Sequence, residues 1–210
     1  MQGRLWWYTA RSAGLLGWAL LAASVLWGLA LSSRAFGKRP RPNWLLDLHR
    51  FLGGLAVVFT AVHVVAIVLD DFVHFGLADV LVPLASSWHP VAVAWGVVAV
   101  YLLVAVEVTS LLRSRISKRV WRATHYASFP LFALATVHGL SAGTDGRNAI
   151  VRVAMLAAVL AVTGLSWLRA VQAAQAASQP APVGSGVAGR AGSRVGSRVG
   201  SRVGRAAPPR

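Results

Sequence analysis

Apolar residues run along this chain in five long stretches, separated by connections that are short, polar and unequally charged. The stretches cover residues 12–32, 44–69, about 91–112, 121 to about 140, and 149–168. Each is close to the roughly 20 residues that cross a hydrocarbon core of about 30 Å at a rise of about 1.5 Å per residue. Inside lipid a helix satisfies its own backbone hydrogen bonds, so each stretch is expected to be helical. The pattern predicts an all-α integral membrane bundle of about five transmembrane helices. The first stretch is longer than a signal-peptide core and lacks a convincing cleavage site, so it is read as a retained helix. Trp44, Trp88 and Trp121 head the second, third and fourth stretches, where tryptophan suits the headgroup level.

Composition agrees with the pattern. Of the 210 residues 56% are apolar and only 13% charged, against about 25% charged in a typical soluble domain. The net charge of +15 could suggest nucleic acid, but the basic residues sit between the apolar stretches and in the tail, as in a membrane protein. Arg34, Lys38, Arg39 and Arg41 fill the first connection; Arg113, Arg115, Lys118, Arg119 and Arg122 surround the third. The second carries Asp70, Asp71 and Asp79 but no basic residue, and the short fourth has Asp145 and Arg147. By the positive-inside rule, the first and third connections and the C-terminus face the cytoplasm of a multi-pass cytoplasmic-membrane protein, with the N-terminus outside. Arg4 and Arg11 count mildly against this orientation. Residues 171–210 turn to Gly, Ser, Arg, Ala and Pro, with a repeated Gly-Ser-Arg-Val unit, and are expected to form a disordered basic tail. Residues 1–170 form the membrane domain. The absence of cysteine excludes disulfides, thiolate-held iron–sulfur clusters and covalently attached haem. Any redox carrier must therefore be a noncovalent cofactor.

Four of the six histidines lie inside apolar stretches: His49 and His63 on the second, His125 and His138 on the fourth. Ionisable groups within a span are costly and mark functional sites by default. A lone buried histidine is more often a hydrogen-bonded core residue, but two pairs at nearly equal spacing are harder to explain that way. His49 and His63 are fourteen residues apart, about 40° short of four full turns, so they share a face about 21 Å apart along the axis. His125 and His138 are thirteen apart, which on an ideal helix leaves them about 140° out of phase. Pro130 lies between them and predicts a kink or altered turn. The second and fourth helices run the same way, so His49 should meet His125 near the cytoplasmic face and His63 should meet His138 near the outer face. Imidazole is a common haem-iron ligand. Two stacked haems b with two axial histidines each are expected, reducing to one at His49 and His125 if the second pair does not align.

On these residues the segment from Trp44 to about Asp145 resembles the ferric-reductase-like transmembrane domain. That superfamily includes ferric reductases, NADPH oxidases and the haem subunit of the bacterial methionine-sulfoxide reductase system. The matching features are His49-x13-His63 and His125-x12-His138 on alternate helices. The opening Trp7-Tyr8-Thr9-Ala10-Arg11-Ser12-Ala13-Gly14 is similar to the first helix of small bacterial members. The resemblance implies that residues 1–170 are a haem domain, with the four histidines as axial iron ligands. It also implies passage of electrons across the membrane to an extracytoplasmic redox protein or ferric iron. Ferric reductases and NADPH oxidases continue into a flavin and nicotinamide domain. Here about forty low-complexity residues follow the last helix, with no G-x-G-x-x-G after a strand, so no flavin or NAD(P)H site is expected. The donor is then a flavoprotein reductase or a membrane quinol.

Other residues carry weaker signals. Arg50 could snorkel to the headgroups or bind a haem propionate. Glu107 is expected to pair with an arginine at the inner interface. Gly53 and Gly54 could admit a macrocycle or merely pack a helix. His74 and His89, near the outer acidic connection, are read as solvated rather than metal-binding. The competing function is a non-redox transporter or scaffold whose histidines pack or relay protons.

Overall fold

A computed structural model of the chain describes residues 2–32, 43–70 and 74–178. The basic first connection, Asp71 and the tail from 179 onward lie outside the described residues. Within them the chain is helical: α1 (Gln2–Ser32), α2 (Asn43–Val68), α3 (Leu77–Leu81), α4 (Pro90–Leu111), α5 (Lys118–Tyr126), α6 (Ser128–Ser141) and α7 (Ala149–Ser178), with a 3₁₀ turn at Thr144–Arg147. Four helices are long and apolar enough to cross a membrane: α1, α2, α4 and α7. This is an all-α membrane protein.

The fourth apolar stretch is not one helix. It breaks at Ala127, whose N–H donates back three residues to the Thr124 carbonyl at 2.9 Å. The cause is Pro130, which has no N–H for the Tyr126 carbonyl and whose ring clashes with it. Helical bonding therefore stops at Tyr126 and resumes in α6. Alone, α6 with its 14 residues spans about 21 Å, short of the hydrocarbon thickness. The expected five single spans are thus four helices plus a two-piece element. The opening piece, α5, begins at a Ser117 cap whose Oγ accepts from the Val120 N–H. It exposes Lys118, Arg119 and Arg122.

Two differences concern ends. α7 continues ten residues beyond the apolar stretch, because Ala and Gln at 170–177 are good helix formers. Residues 173–210 form a separate unit, of which only the last helical residues, 173–178, are described. Of the three expected interface tryptophans, Trp44 is exposed. Trp88 lines a cavity, and Trp121 stacks on His125.

The packing order positions the site. α1 lies against α2 and α6, and α4 lies against α6, α5 and α2. α1, α2, α4 and α6 therefore form a ring in which α2, bearing His49 and His63, lies diagonally opposite α6, bearing His138, while His125 sits on α5. Leu21, Val25, Ala56, Ala99, Leu103, Leu131 and Phe132 fill the interior, with Val162 of α7 packed on them. The outward face of α7 leaves Ile150, Leu160 and Trp167 largely exposed, as a lipid-facing helix should.

Candidate functional site: two imidazole pairs

The ring brings the four intramembrane histidines together as two pairs. The His49 and His125 rings lie 6.0 Å apart between centres, at 75° to one another. The His63 and His138 rings lie 6.3 Å apart, at 77°. The break at Ala127 is what allows this: His125 belongs to α5 and His138 to α6, so the phase of a single ideal helix no longer relates them.

The second pair is held tightly. His63 Nδ1 lies 2.7 Å from the Ala10 carbonyl on α1, and His138 Nδ1 lies 2.8 Å from the Ala92 carbonyl on α4. A carbonyl can only accept, so in each ring Nδ1 carries the proton and donates it. In the neutral imidazole Nε2 is then left with its lone pair, the state a metal ligand requires. Both rings line one cavity of about 310 Å³, together with Trp7, Arg11, Trp88 and Asp145. Arg11 and Asp145 form an ion pair across that wall: Nε donates to Oδ2 at 2.8 Å and a second guanidinium nitrogen meets Oδ1. The guanidinium also lies 4.2 Å over the Trp7 ring. Arg11, which counted against the predicted orientation, is thus neutralised within the protein.

The first pair is held differently. His49 Nδ1 is 3.3 Å from the Ser24 hydroxyl on α1. His125 Nδ1 is buried and makes no hydrogen bond among the described residues. Its ring instead stacks on Trp121 at 5.1 Å and 20°, and Arg113 covers that tryptophan at 4.7 Å.

The remaining sequence candidates fall elsewhere. Arg50 sits beside His49 but directs its guanidinium to Asp47 at 3.4 Å, both side chains being more than 60% exposed. Glu107 does not pair with an arginine among the described residues. Its carboxylate lies across Gly53 of α2, which has no side chain to prevent it. Gly54 faces open space. His74 and His89 both adopt left-handed backbone, with φ of 56° and 42°, and no group of three or more His, Asp or Glu side chains gathers among the described residues. Sequence reasoning missed the Arg11–Asp145 contact and the backing of the imidazoles by α1 and α4. One signal for the second was present: Gly14 and Gly28 are fourteen residues apart, as are His49 and His63.

Comparison with known families bears directly on this arrangement. The ferric reductase like transmembrane component family matches residues 13–136, a segment that contains His49, His63 and His125 and stops two residues short of His138. No curated protein and no solved structure matches the chain. Such transmembrane components have a general role in membrane electron transfer and generally bind haem. The matched segment covers more than half of the sequence and most of the ring that assembles the imidazole pairs, and the chain belongs to the ferric reductase-like transmembrane component family.

Proposed function

We propose that this protein is a haem b-binding electron-transfer subunit of the cytoplasmic membrane, holding two haems between His49 and His125 and between His63 and His138. It takes electrons from a flavoprotein reductase or a membrane quinol at the cytoplasmic side. It delivers them to an extracytoplasmic redox protein or ferric iron. The observation that carries the reading is the separation of the paired rings. A metal–nitrogen bond of about 2.0 Å, plus about 1.2 Å from nitrogen to ring centre, puts two trans imidazoles on one metal about 6.4 Å apart. The pairs measure 6.0 and 6.3 Å. The residues therefore fit the group. Pairs rather than triads of donors also suit a macrocycle that supplies its own equatorial nitrogens, and not a bare ion.

When bound, haem supplies reversible one-electron carriage. The chain's residues do the rest. The Nδ1 donors of His63 and His138 fix which nitrogen is free. α2 gives one histidine to each pair, and α5 and α6 give the others, His125 and His138, so that each centre would take one ligand from each side, a common way to build a cofactor site in a helical bundle. Arg50, beside His49 and held only by an exposed ion pair of small worth, is the group available to a propionate. With two histidines to hold each haem, the site would suit electron transfer rather than ligand binding at the metal. Residues 1–170 are on this reading the haem domain, with residues 171–210 as a basic tail. The basic ends of α2 and α5 face the cytoplasm, together with the C-terminus.

The test is direct. Purified protein should show a Soret band and two haems per chain. His63→Ala and His138→Ala should each remove about half of the absorbance, because one ligand of one of two centres is gone. A purified, folded protein without a Soret band would leave the histidines to a non-redox role. Full haem retention in both variants would sink the two-haem assignment. A reporter active only in the cytoplasm, fused after Leu168, should be active.

A further inference from the structure

We infer that Gly14, Gly28 and Gly96 are positioning residues, each forming with the residue four places earlier a seat that sets the rotation of one imidazole. The inference rests on the ligand reading above. The geometry repeats three times. A side-chain carbon added at Gly14 would come within 2.8 Å of His63 Nδ1 and 3.0 Å of its Cε1, and the Nδ1 acceptor is the carbonyl of Ala10, four residues earlier. A carbon at Gly96 would come within 2.7 Å of both His138 Nδ1 and Cε1, and the acceptor is the carbonyl of Ala92, again four earlier. A carbon at Gly28 would lie 3.1 Å from His49 Cε1, and the partner is Ser24, once more four earlier.

The recurrence has a structural cause. Residues four apart lie one above the other on a helix face. The earlier one offers an acceptor and the later one, lacking Cβ, admits the ring edge beside it. On α1 the two seats are in register with α2: Gly28 meets His49, Gly17 meets Thr60 and Gly14 meets His63, an unbroken antiparallel count. On α4 the seat at Gly96 meets His138, whereas His125, beyond the break at Ala127 on α5, makes no Nδ1 hydrogen bond among the described residues.

In the seats at Gly14 and Gly96 Nδ1 donates into α1 or α4 and Nε2 keeps its lone pair for the metal; in the seat at Gly28 the same holds when the Ser24 hydroxyl accepts. The ring cannot rotate away from an added methyl group without giving up its hydrogen bond, its metal bond or both. An ordinary helix-interior glycine behaves in the opposite way, since Gly→Ala there stabilises the helix. Gly164, with nothing within 4 Å of an added carbon, serves as that control.

The experiment measures haem per chain and the low-spin EPR signals of the ferric protein, in wild type and in Gly14→Ala, Gly96→Ala, Gly28→Ala and Gly164→Ala. Gly14→Ala and Gly96→Ala should each lose the centre at His63 and His138 and keep the other, so the retained signal reports folding within the same sample. Gly28→Ala should alter only the centre at His49 and His125. Gly164→Ala should match wild type. If Gly14→Ala does not fold, it is made with His63→Ala. The double variant should then fold and hold the remaining haem, because the methyl group no longer meets a ring. Wild-type haem content and unchanged signals in Gly14→Ala and Gly96→Ala would overturn the seats, as would a double variant that still fails to fold. Haem-free wild-type protein overturns the ligand reading itself, and the seats with it.

Discussion

The two imidazole pairs have nearly the same ring separation but are built to different standards. At His63 and His138 both Nδ1 atoms donate to main-chain carbonyls at 2.7 and 2.8 Å. Those carbonyls belong to α1 and α4, which pack against the other helices of the ring. At His49 and His125 one Nδ1 meets a serine hydroxyl at 3.3 Å, and the other ring is aligned by stacking on Trp121, a neighbour on its own helix. Fixing a ligand through its second nitrogen sets its tautomer and orientation and raises its basicity. On the proposed ligand reading, the difference separates a pre-organised centre from one that is only partly so. The looser pair is the one beside the basic surface of α5, which carries Lys118, Arg119 and Arg122.

The largest effect that could break this comparison is in haem retention. His49→Ala isolates the well-built centre and His63→Ala isolates the other. Challenged with excess apo-myoglobin, the centre left in His49→Ala should release haem about tenfold more slowly than the one left in His63→Ala, the lower end of typical second-shell effects. Equal release rates would mean that the Nδ1 partners do not distinguish the sites.

Trp121→Leu sharpens it next. An aromatic contact of this kind is worth about 0.5–1.5 kcal/mol, so its loss should speed release from the His49–His125 centre about twofold to tenfold. The His63–His138 spectrum should stay as it is. A change at both centres would show that Trp121 supports the bundle rather than one ring.

How much of this was legible beforehand follows from the range of the interactions. The histidine pairs and their first-with-first partnering are properties of helix spacing and direction, so they could be read directly. The interruption between His125 and His138 was readable from Pro130, but its place was not. The proline's missing N–H and steric clash act on a carbonyl four residues back, and the break falls at Ala127 rather than at the proline. The seats were half visible, as Gly14 and Gly28 repeat the spacing of His49 and His63; knowing that α1 packs on α2 in that register required the fold. Arg11 and Asp145 meet across 134 residues of sequence, and nothing local to either announces the other. Glu107 shows the same limit: its sequence offers Arg113 six residues on, yet among the described residues its carboxylate lies across Gly53 on another helix.

A smaller effect is expected at the Arg11–Asp145 ion pair, which ties α1 to the 3₁₀ turn beside the His63–His138 cavity. The pair is partly exposed, so about 1 kcal/mol is a fair upper figure. Asp145→Asn should lower the thermal midpoint by a few degrees, and loss of the His63–His138 signal should lead the unfolding. Arg11→Asp combined with Asp145→Arg should recover part of the loss. A double variant no better than the sum of the singles would remove the pairing as the cause.

The smallest effect is the most informative about chemistry. The Ser24 hydroxyl can in principle donate to His49 Nδ1 or accept from it, and the two cases are opposites. If it donated, Nδ1 would hold the lone pair and Nε2 the proton, leaving the metal-facing nitrogen unable to ligate. Ligation by Nε2 therefore requires Ser24 to accept. An accepting partner makes the imidazole a stronger donor to iron and favours the ferric state. Ser24→Ala should remove that bias and raise the midpoint potential of the His49–His125 centre. The 3.3 Å contact is long for a hydrogen bond, and a loss of about 0.5 kcal/mol corresponds to about 20 mV for a one-electron couple. Ser24→Thr, which keeps the hydroxyl, should hold the wild-type value, and the His63–His138 potential should not move in either variant. A downward shift in Ser24→Ala would mean that the serine donates, and that His49 does not reach the metal through Nε2.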